Sequence, residues 1–163
     1  MAAKRIEWWQ KYGNIAQIGS ALFAFLGFVA VIYQLNEIKN NNRATSARQV
    51  YLAYADVQFK YPLYADPDYE KLKASGKEAI SQYQAYVAYM LYACGEVLHA
   101  FPKDSEWEAS CSYDVVDHLP FLCEKEIADS DFMKTFGLRT QQFVREEMAR
   151  NGVAPPECKV RKS

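Results

Sequence analysis

The chain has two histidines, and each stands at helical spacing from a carboxylate, as Glu96-x-x-His99 and Asp114-x-x-x-His118. Steps of three and four residues put both members of a pair on one face of a helix. Two antiparallel helices carrying these pairs could offer four ligands to a metal, as carboxylate sites in helical bundles do. Sites of that kind need more carboxylates than these two, and neither histidine lies in a nucleophile, phosphohydrolase or zinc-protease pattern. The expectation is therefore a non-enzymatic protein, with no catalytic residue, metal or cofactor.

A second cluster, Lys71-Leu-Lys-Ala-Ser-Gly-Lys77, places three lysines in seven residues at the start of a long apolar-faced segment. Backbone N–H groups and the positive end of a helix attract anions, and a glycine lets a phosphate approach the chain. The G-x-x-x-x-G-K-[ST] spacing is absent, which argues against a nucleotide-driven motor or a kinase. Tyr61, Tyr64, Tyr69, Tyr83 and Tyr86 supply rings on which a base could stack beside basic side chains. Lys71, Lys73, Ser75, Gly76, Lys77 and Tyr69 are thus the expected ligand-binding residues, for an anionic nucleotide and not for duplex nucleic acid. The opposing reading is a solvated lysine loop before Glu78, with the tyrosines serving to pack the core.

These residues need a scaffold, and the periodicity predicts an all-α one. Ile80, Tyr83, Val87, Met90, Leu91, Cys94, Val97, Leu98 and Phe101 mark one face of a core helix that ends at Pro102. Asp104 is an N-cap candidate for a helix carrying Trp107, Cys111, Val115 and Leu119, which Pro120 interrupts. Ser130 is the N-cap candidate of a last helix with Phe132, Phe136, Phe143, Val144 and Met148, stopped at Asn151-Gly152. Pro62 and Pro67 break the chain ahead of a short helix over 68–74. No segment alternates with period two, so a helical bundle without sheet is expected.

The bundle follows an anchor. From Tyr12 to Asn36 there is no charge, and Ile15 to Tyr33 is apolar except for Gln17 and Ser20. That length crosses a hydrocarbon core of ~30 Å at about 1.5 Å per residue. In lipid each backbone amide must bond within the segment, which makes it helical. Trp8, Trp9 and Tyr12 on one side and Tyr33 on the other suit the two interfaces. The expected layout is a tail over 1–13, a transmembrane helix over 14–35, a juxtamembrane stalk over 36–60 and a soluble domain over 61–152. A basic tail, 153–163, carries Lys159, Arg161 and Lys162. The stalk either runs on from the anchor or breaks at Asn40-Asn41-Asn42. Ala16, Ser20 and Ala24, four residues apart, form a small-residue face that lets helices approach in lipid, and so suit a homo-oligomer.

Charge sets the orientation only weakly. Lys4, Arg5 and Lys11 are balanced by Lys39, Arg43 and Arg48, so positive-inside counting returns a tie. Cys94, Cys111, Cys123 and Cys158 form no C-x-x-C pair and are read as free thiols, although an even number also allows two bridges. Free thiols suit the cytosol, which favours a domain inside and a short translocated N-terminus. Net charge is −1, but residues 1–77 carry ten Lys/Arg against six Asp/Glu and the remainder nine against fourteen. The distal half is acidic, which also suits a membrane-tethered module for a protein partner.

The anchor Ile15-Ala-Gln-Ile-Gly-Ser with Val31-Ile-Tyr-Gln-Leu, the polar run after it, Asp-Pro-Asp-Tyr-Glu-Lys-Leu from Asp66 to Leu72, and Asp131-Phe-Met-Lys-Thr-Phe-Gly resemble bacterial single-pass proteins with a helical cytosolic domain. The layout also resembles small membrane effectors of type III CRISPR defence. That resemblance implies an oligomer in the inner membrane that binds a cyclic oligoadenylate through a cytosolic domain and perturbs the bilayer in antiviral defence. It carries no ligand-binding residue over by motif.

Overall fold

A computed structural model of the 163-residue chain describes residues 2–155 and Cys158. Among these residues there are eight α-helices and no strand, and the protein is all-α. The helices are α1 (Ala2–Lys60), α2 (Pro62–Ala65), α3 (Tyr69–Ala74), α4 (Lys77–Ala100), α5 (Ser105–Val116), α6 (Leu119–Ala128), α7 (Ser130–Lys134) and α8 (Leu138–Arg150). The chain divides into two compact units, Met1–Asn42 and Arg43–Ser163.

In the first unit the described residues belong to the N-terminal part of helix α1. Within Gly19–Lys60 lies a window long and apolar enough to cross a membrane, none of it buried. Phe23 is 79% exposed and Phe25 64%, so the apolar surface of this stretch packs against no protein core, and its length and hydropathy meet what a membrane span requires. Helix continues through Asn40, Asn41 and Asn42 without a break. Ser20 and Ala24 are exposed on this helix, and the Ser20 hydroxyl donates back to the Gln17 carbonyl at 2.9 Å. The side chains of Ala16, Trp8, Trp9 and Tyr12 lie outside the described residues, as do Lys159, Arg161 and Lys162.

The second unit is built around α4, which packs against α3, α5 and α8; α6 packs on α7 and α8. Val87, Met90, Leu91, Cys94, Val97 and Leu98 on α4 are all within 1% of complete burial, each such aliphatic side chain contributing ~1.5–3 kcal/mol. The last turns of α1 join this core through buried Ala47 and Tyr54. Trp107 of α5 stacks on Phe101, ring centroids 5.8 Å apart, and meets the ring of Tyr51 edge-on at 5.0 Å. Gly95 allows α4 and α8 to approach closely, since a Cβ there would lie 2.6 Å from the Thr140 hydroxyl.

Caps fall where side chains can satisfy the first helical amides. Asp68 accepts from the Lys71 amide to start α3, and Asp104 accepts from the amides of Glu106 and Trp107 to start α5. Three expectations need correction. Pro120 does not end a helical stretch; it stands in the first turn of α6, where a proline costs no hydrogen bond. The last apolar run is two helices, because the chain turns at Thr135–Gly137 between α7 and α8, and the residue at the α7 cap is Asp129 rather than Ser130. The cysteines are not free: Cys94 is bonded to Cys111 and Cys123 to Cys158, with Cα separations of 5.6 and 5.5 Å. Packing of α4 on α5 brings the first pair together, while Cys158 lies beyond the end of α8, and the thiol argument for a cytosolic domain falls with these bonds.

Candidate functional site

The lysine cluster folds as a paired surface. The Lys71 ammonium lies 2.7 Å from Asp68, and Lys73 lies 2.9 Å from Glu124, over the ring of Tyr69. Tyr69 donates to the same Glu124 carboxylate at 2.8 Å. Hydrogen bonding to Asp68 and Glu124 raises the pKa of both lysines. Ser75 turns its hydroxyl back to the Lys71 carbonyl at 2.8 Å, and Gly76, at φ +99°, occupies the N-cap of α4 in a conformation that favours glycine. Two of the three expected cations thus have carboxylates in contact. Lys77 has no ion pair among the described residues.

The two histidine pairs do not converge on one point. Glu96 and His99 line a cleft of about 490 Å³ between α4 and the α7–α8 turn, together with Arg139 and Leu138. His118 is buried, and its Nδ1 is 2.7 Å from the Tyr83 hydroxyl. Its Nε2 has no partner, and desolvation pushes its pKa down to about 4. Asp114 instead accepts from Tyr51 at 2.7 Å and from Gln58 at 3.1 Å. Among the described residues, no group of three or more His, Cys, Asp or Glu is placed to hold a metal.

A third arrangement does come together. Tyr61, Tyr64, Tyr86 and Tyr89, with Val57, Gln82 and Ala85, line a cleft of about 380 Å³ formed by the end of α1, α2 and α4. The α4 residues follow from steps of three and four, which bring 82, 85, 86 and 89 onto one face. Tyr61 and Tyr64 stack with an interplanar angle of 13°, while Tyr64 and Tyr86 tilt at 58° with centroids 5.9 Å apart. The rings that line the cleft therefore lie at differing tilts. Tyr64 donates to Gln82 Oε1 at 2.9 Å, fixing both.

No protein-family model, curated protein or solved structure matches this chain. Whatever the cleft does must be argued from its own chemistry.

That chemistry extends behind the cleft wall. Gln58 donates to the Tyr54 hydroxyl at 2.7 Å as well as to Asp114, and Tyr54 lies 3.3 Å from the Tyr86 hydroxyl. A chain of polar contacts thus links a part-buried carboxylate to the Tyr86 wall. Burial foremost, and then the Tyr86 contact and the Asp114 charge, raise the pKa of Tyr54 far above the ordinary phenol value. Burial raises that of Asp114 as well, against the opposing bonds from Tyr51 and Gln58. Sequence reasoning reached Tyr61, Tyr64 and Tyr86 as stacking rings but placed them beside the lysines. It missed Tyr89 and Gln82, for which the 82-85-86-89 spacing is the signal, whereas the Asp114 chain depends on contacts between separate helices.

Proposed function

We propose that this chain is a single-pass membrane protein that holds a non-enzymatic binding module against one face of the bilayer, and that the tyrosine-lined cleft takes its ligand. The observation that carries the proposal is the cleft itself. It lies within the ~300–1,000 Å³ typical of small-molecule sites, is mainly apolar, and has a small number of fixed polar groups. The exposed apolar window of α1 supplies the anchor. The test uses the full-length protein in lipid nanodiscs, with saturation-transfer NMR against a panel of small aromatic, cationic and nucleotide solutes. Ala85→Trp fills the cleft from an exposed position and leaves the buried tyrosines in place. Expected is transfer from tyrosine protons to a subset of solutes, lost in the variant. Transfer to none, or equal transfer in the filled variant, refutes the assignment.

The two disulfides favour the oxidising side of the membrane for the module, with the N-terminus inside. Proteolysis of a C-terminal epitope tag on intact spheroplasts tests this: loss of the tag supports the outside placement, and protection reverses it.

A second reading keeps the domain in the cytosol as an oligomeric effector of antiviral defence, gated by a cyclic oligoadenylate. The aromatic rings favour it, since stacking on tyrosine suits a base. It requires the paired Lys71 and Lys73 to exchange their carboxylates for phosphate, with Lys77 and further subunits adding charge. Titration calorimetry with cyclic oligoadenylates separates the two readings: heat that disappears on charge reversal at Lys71, Lys73 and Lys77 supports the effector, and its absence removes it.

A further inference from the structure

The reading of the cleft as the ligand site can be carried one step further, to the class of ligand, and this step rests on that reading. We propose that the cleft selects an organic cation, an ammonium group carrying methyl or alkyl substituents, held against the faces of Tyr61, Tyr64, Tyr86 and Tyr89 in the field of the Asp114 carboxylate. Three observations converge on it. Four tyrosines line the cleft, with rings at differing tilts, and a cluster of electron-rich rings is the lining that attracts alkylated ammonium groups. No lysine, arginine or histidine is among the residues that line the cleft, so a phosphate or carboxylate entering it would shed water without gaining a counter-charge. Asp114 is tied to the Tyr86 wall through Gln58 and Tyr54, and its two donors, Tyr51 and Gln58, stabilise the charged carboxylate.

The electrostatics agree with that geometry. The Asp114 charge adds to burial in raising the pKa of Tyr86, and the field that disfavours a phenolate at that wall favours a cation beside it. Tyr61, 52% exposed, leaves the entrance open to solvent. Gln82 is the amide in the lining, and its Oε1 is engaged by Tyr64. Discrimination therefore falls to the rings and the part-buried Asp114 charge.

The experiment pairs two probes of nearly equal shape, choline and its neutral isostere 3,3-dimethylbutan-1-ol, titrated by calorimetry into the full-length protein in phosphatidylglycerol nanodiscs. Choline is expected to bind roughly tenfold or more tightly than the alcohol, the margin a partly desolvated cation–ring contact supplies. Asp114→Asn keeps the side-chain shape and removes the charge, so it is expected to weaken choline several-fold while leaving the alcohol unchanged. Tyr61→Leu, at the exposed rim and outside the Asp114 chain, gives a second variant with the same expectation for choline. Equal affinity for the two probes overturns the cation inference and leaves the cleft as an apolar ligand site. No saturable binding of either probe overturns it too, and the ligand panel above then decides the cleft separately. Where choline binds, repeating the titration in phosphatidylcholine nanodiscs identifies the source. A weakened apparent affinity means that lipid headgroups reach the cleft, and an unchanged one means that the site takes free solutes.

Discussion

Acidification should destabilise the second unit through His118, and the size of the effect follows from its surroundings. The ring is 1% exposed, Nδ1 meets the Tyr83 hydroxyl, and Nε2 meets nothing. Desolvation holds its pKa near 4 against an ordinary 6.5. A depressed folded value means that the unfolded chain takes the proton first. The stabilising contribution is therefore complete above pH 6.5 and is lost progressively as pH falls to about 4. At roughly 1.4 kcal/mol for each pH unit, the loss totals about 3.5 kcal/mol. Asp114 and Asp117 act in the opposite direction. Burial raises their folded pKa values, so each favours the folded state as pH falls toward the ordinary carboxylate range. A variant that lacks only the His118 imidazole keeps both carboxylates, so comparison with it isolates the histidine. His118→Phe preserves the ring and removes the titration, but leaves the Tyr83 hydroxyl without its partner at a cost of roughly 1–3 kcal/mol. Denaturant melts of the full chain in detergent, followed by circular dichroism at pH values from 7.5 to 4, provide the comparison. Wild type is expected to be the more stable at neutral pH, with the gap closing towards pH 4. Parallel pH profiles for the two proteins refute the reasoning, as does an NMR titration placing His118 near 6.5.

Gly95→Ala drives a methyl against the Thr140 hydroxyl, and a net loss of about 1 kcal/mol is expected once the gain in helix propensity is set against the overlap; combining it with Thr140→Ala should restore most of the lost melting temperature. Tyr51→Phe removes one of the two donors to the part-buried Asp114, and equilibrium unfolding should register roughly 1.5–3 kcal/mol, the range for a hydrogen bond to a charged acceptor. Denaturation in alkylating reagent without reductant should leave the protein mass unchanged, and prior reduction should let all four cysteines react. Losing Cys94–Cys111 or Cys123–Cys158, which close separations of 17 and 35 residues, is expected to cost about 3 and about 4 kcal/mol respectively from chain entropy.

What could be read in advance was local. The apolar stretch of α1, the Asp104 cap, the buried face of α4 and the stop at Asn151-Gly152 all depend on residues within one or two turns of each other. The misreadings lie where tertiary contacts decide. Pro120 breaks one helix or begins another equally well, and only the turn at Asp117-His118 selects the second. Phe132, Phe136 and Phe143 keep helical periodicity across the turn at Gly137, so no periodic signal marks the end of α7. Asp68 partners Lys71 from three residues away, a helical spacing, whereas Glu124 reaches Lys73 from 51 residues further on. The cleft shows the same division. Its α4 wall is a matter of spacing, but the Asp114 contribution arrives through Gln58 and Tyr54 from a different helix.

The contact of Trp107 with Tyr51 gives the second unit a built-in optical probe. Trp8 and Trp9 precede the membrane window, and Trp107 is the single indole in residues 43–163. Ring centroids run from Trp107 to Tyr51 at 5.0 Å, on to Tyr54 at 5.9 Å and to Tyr86 at 6.0 Å. Excitation absorbed by the tyrosines around the cleft therefore passes along this series and leaves as indole emission. With Trp8 and Trp9 replaced by phenylalanine, the ratio of phenol to indole light would follow the folding of this unit and the filling of its cleft, with no dye attached.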